Sequence, residues 1–395
     1  MSPPVIVAIP ATVVEAPKPP APSAGFDAKG FFVQSEDGVN RLEVGFRVQP
    51  RFTYEVRSGK AKDRSYFAVN RGDLRLSGNV LAKELGYKFE ADFGKGTVAL
   101  RDFYADYAFI PGAFQLRVGQ FKKPWSRQGI ASSGNLQTTD RAISDSAFGS
   151  GRDQGIMLHN AFDKSPAFEW ALGLFNGTGE KPWFTDAKGE TAAPVKGTIT
   201  GAADDDGVVT GTSTGTVASD AKFTLVPKNA RPQLVGRLGF NHGDVKGYSE
   251  ADLEGGPFRL GVAASGSIDF DSDGGNDSEA KTQIDAILKV EGFSFTGGYY
   301  ISSAQAGAGF GDRAFGKSAY HAQLGYVIAG KVEPVVRISQ LFKAGPANNE
   351  SEYTAGIGFY PFKHSFKWQT DVSVLQHEAT DKADTVIRSQ IQIQY

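Results

Sequence analysis

The chain has 395 residues, no cysteine, a formal net charge of −2 and a mean hydropathy of −0.28. The absent cysteines exclude disulfides, thiolate metal sites and cysteine nucleophiles, and the near-neutral charge leaves no global basic footprint for nucleic acid. No run approaches the ~18 apolar residues of a transmembrane helix, so a membrane role requires strands, in which only every second residue faces lipid.

The first 24 residues have no basic start and no leucine-rich core, as expected of a mature form with an added Met1. The run from Pro3 to Pro22 predicts an extended tail, and the tail is taken to residue 29. Alternation begins at Arg41. Leu42, Val44, Phe46, Val48, Phe52, Tyr54 and Val56 fall on one face. Glu43, Arg47, Gln49, Arg51, Glu55 and Arg57 fall on the other. A period of two is what a strand between lipid and water requires.

The pattern predicts further strands at 66–80, 84–94, 97–109, 112–121, 152–162, 166–176, 230–241 and 257–268. Others follow at 279–291, 293–303, 317–329, 332–343, 351–361, 365–377 and 383–395. Together these make an all-β, 16-stranded antiparallel transmembrane barrel over residues 30–395, with both ends on one side of the membrane. Short links (81–83, Pro111, 163–165, Gly292, 330–331, 362–364) alternate with long ones at 122–151, 177–229, 269–278 and 304–316. Short turns face the periplasm and long loops face outward. Two links break the rule: 242–256 is long and 95–96 is short. The 177–229 segment, rich in Gly, Thr, Ala and Asp, is expected to be a surface loop. The final strand, Gln390-Ile391-Gln392-Ile393-Gln394-Tyr395, alternates and ends on an aromatic.

Alternation also assigns faces to charges. Arg47, Arg51, Arg71, Arg75, Arg117, Arg237, Arg259, Arg337 and Arg388 fall on the wet side, since a cation at mid-membrane costs roughly 2–4 kcal/mol. They form either a cationic ladder or half of a charge-balanced lining, with Glu43, Glu55, Asp73, Lys88, Glu90, Asp92, Asp102 and Asp106 sharing the wall. Both arrangements are open at this level. The loop 122–151 carries Lys122, Lys123, Arg127, Asp140, Arg141 and Asp145, and its length exceeds a hairpin turn.

The run Arg117-Val118-Gly119-Gln120-Phe121-Lys122-Lys123-Pro124-Trp125 resembles the Val-Gly-Gln-Phe-Lys-x-Pro-aromatic motif of the phosphate-selective porins O and P. Arg71-Gly72-Asp73-Leu74-Arg75-Leu76-Ser77-Gly78 resembles that family's arginine-rich second strand, and Leu174-Phe175-Asn176-Gly177 its strand end before a long outer loop. The resemblance implies a homotrimeric porin of the bacterial outer membrane. It implies that the third loop folds into the lumen as a constriction, and that wall arginines and lysines pass phosphate-like anions. Arg47, Arg51, Arg71, Arg75, Arg117, Lys122, Lys123, Arg127, Arg141, Arg237 and Arg337 are then the candidate pore-lining, anion-binding residues. Asp73 beside the arginine pair departs from the family pattern and makes the wall less cationic.

Trp125, Phe168, Trp170, Tyr107, Phe109, Phe359, Phe366, Trp368 and Tyr395 are expected at the two membrane interfaces. Asp269-Phe270-Asp271-Ser272-Asp273-Gly274 opens like a calcium loop, but position twelve is Ala280, so a solvated acidic loop is expected. The five histidines show no ligand spacing, and neither a G-x-S-x-G elbow nor a P-loop is present. No enzyme, metal or cofactor is expected. The expected partners are small anions, outer-membrane lipid and lipopolysaccharide phosphates. A general or sugar-permeable porin, or a structural barrel anchoring the envelope, remains the alternative.

Overall fold

The computed structural model of the protein describes residues 23–27, 30–59, 62–96, 98–149, 151–177, 179–180, 232–270, 279–305, 313–343 and 349–395, and a short backbone ladder between 187–188 and 224–225. Sixteen strands follow one another in the chain. They are β1 (Arg41–Val56), β2 (Arg64–Val80), β3 (Ala82–Asp92), β4 (Ala99–Ile110), β5 (Phe114–Lys122), β6 (Arg152–His159), β7 (Phe168–Phe175) and β8 (Gln233–His242). Then come β9 (Arg259–Asp269), β10 (Glu279–Val290), β11 (Phe293–Gln305), β12 (Arg313–Tyr326), β13 (Val332–Lys343), β14 (Glu350–Phe362), β15 (Phe366–His377) and β16 (Lys382–Gln394). Each pairs antiparallel with its chain neighbours, and β16 pairs with β1, Gln390 opposite Arg51, so the sheet closes. Helix is confined to short turns in the loops among the described residues.

The alternation has the physical basis expected of it. Along β1, Glu43, Arg47, Gln49, Arg51 and Thr53 are buried inside, while Leu42, Val48, Tyr54 and Val56 are exposed outside. The same apolar exterior recurs at Leu74, Phe103, Leu172, Leu238, Val262, Ile284, Val336 and Ile391. Such a surface suits hydrocarbon, where a closed ladder pairs backbone groups between neighbouring strands.

Bulges interrupt the alternation. Pro50 has no N–H to give to the ladder. The register with β2 slips there, with Gln49 opposite Arg71 and Pro50 opposite Val69. Between β3 and β4, Glu90 faces Asp102 and Ala91 faces Leu100, so Arg101 is the extra residue.

The short turns sit at the end that carries both termini. Glu291 and Gly292, both at positive φ, make a two-residue hairpin of the type that matches strand twist. Before β1 lies a small hairpin, Ala24–Asp27 with Gly30–Gln34. Its second strand pairs with residues 41–44 of β1, below the point where β16 ends. Residues 24–29, which the sequence reading left in the tail, thus include a strand. The tail residues 1–22, most of the 177–229 loop and the acidic segment from Asp271 lie outside the described residues.

The aromatics differ in two respects from expectation: one is buried, and those outside mark one interface and not both. Trp125 is buried in a cluster with Phe121, Phe148 and Phe175, because the loop after Pro124 turns into the barrel. Tyr107, Phe109, Phe168, Phe359 and Trp368 do lie on the exterior. All are near the strand ends on the short-turn side. Tyr107, Phe109 and Phe114 follow one another with ring centroids 4.9 and 5.6 Å apart.

Candidate functional site

The loop between β5 and β6, residues 123–151, crosses the lumen and fastens to one side of it. Arg127 donates from Nε to Asp285 on β10 (2.9 Å), and Arg237 on β8 donates to the same carboxylate (2.8 and 3.0 Å). Gln283 and Arg237 both donate to the Trp125 carbonyl. Farther along, Lys367 and Gln369 on β15 donate to the Leu136 carbonyl (2.8 and 2.9 Å). The Thr139 amide donates to Asp371 and the Ile143 amide to Glu352. Arg337 bonds Glu352, Thr138 and the Asp140 carbonyl. Arg51 and Arg388 meet Asp140 at 2.9 and 3.2 Å. Burial pushes the Asp140 carboxyl up, but Arg51 and then Arg388 outweigh it and hold it below the usual carboxylate range. These ties fill the lumen against β7–β16.

A second element helps to fill it. Residues 243–258, the one long connection at the short-turn end, fold upward. Tyr248, Glu250, Ala251 and Asp252 are buried there. The Tyr248 hydroxyl donates to Glu169, and Arg127 donates to the Gly247 carbonyl.

The side along β1–β6 stays open, enclosing about 500 Å³. Nine basic side chains line it: Arg47, Arg71, Arg75, Lys88, Arg101, Arg117, Lys122, Arg141 and Arg152. Six acidic ones accompany them: Asp73, Glu90, Asp102, Asp145, Asp163 and Glu180. Most of the acids are already engaged. Arg47 pairs with Asp73, Lys88 with Glu90 (2.8 Å), Arg152 with Asp102 (2.5 Å) and Arg101 with Glu180 (2.9 Å). Arg117 pairs with Asp106 (2.7 Å) and lies 4.4 Å above the Tyr104 ring.

Three cations, Arg71, Lys122 and Arg141, remain without a carboxylate inside hydrogen-bonding distance among the described residues. Arg71 comes no nearer than 4.0 Å to Asp92. Arg75 stands apart from these three: it donates to the Phe46 carbonyl and, at 2.7 Å, to a carboxylate oxygen of the final residue, Tyr395. Lys122 donates to the carbonyls of Ile130 and Ala131, and Arg141 to those of Gln128 and Ala131. Arg141 lies 3.8 Å from Asp145, whose carboxyl burial pushes up against the pull of Arg141. Carbonyl partners orient these groups without cancelling their charge.

The structure therefore divides the candidates. Arg47, Arg71, Arg75, Arg117, Lys122 and Arg141 stand together on the open side. Arg127, Arg237 and Arg337 stand in the packed half, paired with Asp285, Glu169 and Glu352. Arg51 joins the loop at Asp140, and Lys123 donates to Gln233. Arg101 and Arg152 were not among the candidates. The bulge turns Arg101 toward the lumen, against strict alternation. Arg152 opens β6, where no preceding alternation sets its face. Gly119 of the motif sits at φ +129, and a Cβ there would run into the Phe103 carbonyl, so the motif's glycine is a backbone requirement. Among the described residues, no group of three or more His, Asp or Glu is arranged to hold a metal ion.

A closed barrel of sixteen strands, apolar outside and charged inside, with a loop laid across its lumen, defines an outer-membrane porin: a channel and not an enzyme, seated in the bacterial outer membrane. The family model for phosphate-selective porin O and P matches residues 42–395, and the chain belongs to that family. Among solved structures, the anion-selective porin from Comamonas acidovorans is 11% identical, with 90% of this chain and 99% of that chain covered and a TM-score of 0.55. The outer membrane channel DcaP of Acinetobacter baumannii is also 11% identical, with 92% and 99% covered and a TM-score of 0.56. A loop L8 deletion mutant of OmpT from Vibrio cholerae is 7% identical, with 90% and 99% covered and a TM-score of 0.51. At such identities the likeness is one of fold. No curated protein matches the chain.

Proposed function

We propose that the porin passes small anions, phosphate and related oxyanions among them, along the β1–β6 face, and that it assembles as a trimer. The observation that carries the selectivity is the set Arg71, Lys122 and Arg141, which leaves uncancelled positive charge on the open side. A guanidinium keeps its charge at any relevant pH and offers several donors in a plane that fits an oxyanion. Family membership supports phosphate as cargo. Lys122, at the end of β5, and Arg141, in the crossing loop, are both held by that loop's carbonyls and line the same cavity as Arg71 on the wall, so an anion meets basic groups from more than one element. No single residue grips it, which suits a passage that must release what it binds.

Transport is downhill and needs no cofactor. The test is current through the purified protein in a planar bilayer. A KCl gradient should give a reversal potential of anion-selective sign, and millimolar phosphate should reduce the chloride current. A cation-selective sign would remove the proposal, and chloride current indifferent to phosphate would reduce it to a general anion pore.

A further inference from the structure

The connection 243–258 is out of place by length, lying at the end where the other links are one to eight residues. Its buried carboxylate, Glu250, explains where the length goes. Gln128 donates from Nε2 to Glu250 Oε1 (2.9 Å), and the Gln137 amide donates to Oε2 (2.9 Å). Gln323 on β12 donates to the same oxygen (3.0 Å). The Glu250 amide in turn donates to the Asn135 carbonyl (3.0 Å). One residue of the turn thus holds both ends of the loop segment 127–137 and ties it to the wall.

That segment is the wall of the open passage on its other side. Gly129, Ile130, Ser132 and Ser133 line the lumen there, and Lys122 and Arg141 hang from the carbonyls of residues 128–131. The turn itself is anchored independently of the loop. Lys289 donates to the Ala251 carbonyl (2.9 Å), Arg259 pairs with Asp252 (2.7 Å), and the Gly292 amide donates to Asp252 (2.9 Å). A rigid support standing on β9–β11 therefore meets the underside of a loop segment that has water on its far face.

We infer that the turn 243–258 is part of the selectivity apparatus: through Glu250 it holds residues 127–137 against the open side and closes the other half of the lumen. Glu250 is a positioning residue. It touches no permeating ion, and it acts by fixing the backbone whose carbonyls hold the Lys122 and Arg141 side chains. Buried donors left without their acceptor are costly, so loss of Glu250 shifts the segment toward solvent. The sealed half then admits water as a second, less cationic route. This deepens the porin reading and rests on it.

The experiment is single-channel recording of wild type and Glu250→Ala, with folding checked by heat-modifiable mobility on a gel. Conductance should rise at least twofold and the anion-to-cation permeability ratio should fall, while the folded band persists. Glu250→Gln keeps the volume but turns one acceptor into a donor against Gln128 or Gln323; it should show the same change in smaller measure. Glu254→Gln, on the same turn and bonded through its side chain to Lys246 alone among the described residues, should match wild type. A purely structural role would lower stability without altering the permeability ratio. Wild-type values in both Glu250 variants would overturn the inference. So would variants that never assemble, since Glu250 would then serve the barrel and not the loop. Wild-type protein with no current, or with cation-selective current, speaks against the porin proposal instead.

Discussion

The two halves of the lumen use the same side chains to opposite ends. Against β7–β16, arginines such as Arg127, Arg237 and Arg337 are buried and matched by Asp285, Glu169 and Glu352. Along β1–β6, Arg71 and Arg141 face open space with carbonyls or distant acids for company. A matched guanidinium is cement, whereas an unmatched one beside water is an attraction for anions. Arginine number says little about selectivity; the distance to the nearest carboxylate and to solvent says more.

The comparison can be broken in four places, the largest effect first. Asp285→Ala strands two buried guanidiniums and should cost about 3–5 kcal/mol of barrel stability, read from denaturant unfolding in lipid vesicles. An unchanged midpoint would mean that the packed half is not what steadies the loop. Arg337→Gln should cost about 3 kcal/mol by the same reasoning yet leave the permeability ratio alone. A shifted ratio would show that ions reach the sealed side. Arg71→Glu should do the reverse, lowering the anion-to-cation ratio about tenfold, equivalent to ~1.4 kcal/mol, with unfolding close to wild type. Should the reversal potential stay put, the three uncancelled cations are not the selectivity determinant. Smallest is Lys343→Gln, which removes a rim pair with Glu350 and should change stability by less than about 1 kcal/mol. A greater loss would mark the rim as part of the packed network.

Much of this was legible in the chain. The stretch 332–343 coincides with β13, and 41–56 with β1, because lipid on one side and water on the other leave a period-two record. The same record placed Arg237 and Arg337 indoors. It could not say which half of the interior each would occupy, because that depends on where the crossing loop lands. Arg127 meets Asp285 only through closure of the whole barrel. The length of 242–256 stood out in the sequence, but its purpose rests on Gln128, Gln137 and Gln323, which no local pattern connects to Glu250. Lys88 was assigned to the wall lining, while Arg101 escaped because periodicity presumes an unbroken ladder.

That last exception has a consequence for how such pores change over time. The extra residue in β4 sets Arg101 beside Asp102 on the aqueous interior while Leu100 and Phe103 on either side still face out. Inserting or deleting one amino acid in a stave is thus a route to recharging a channel in a single mutational step, where substitution would have to find an inward position already vacant.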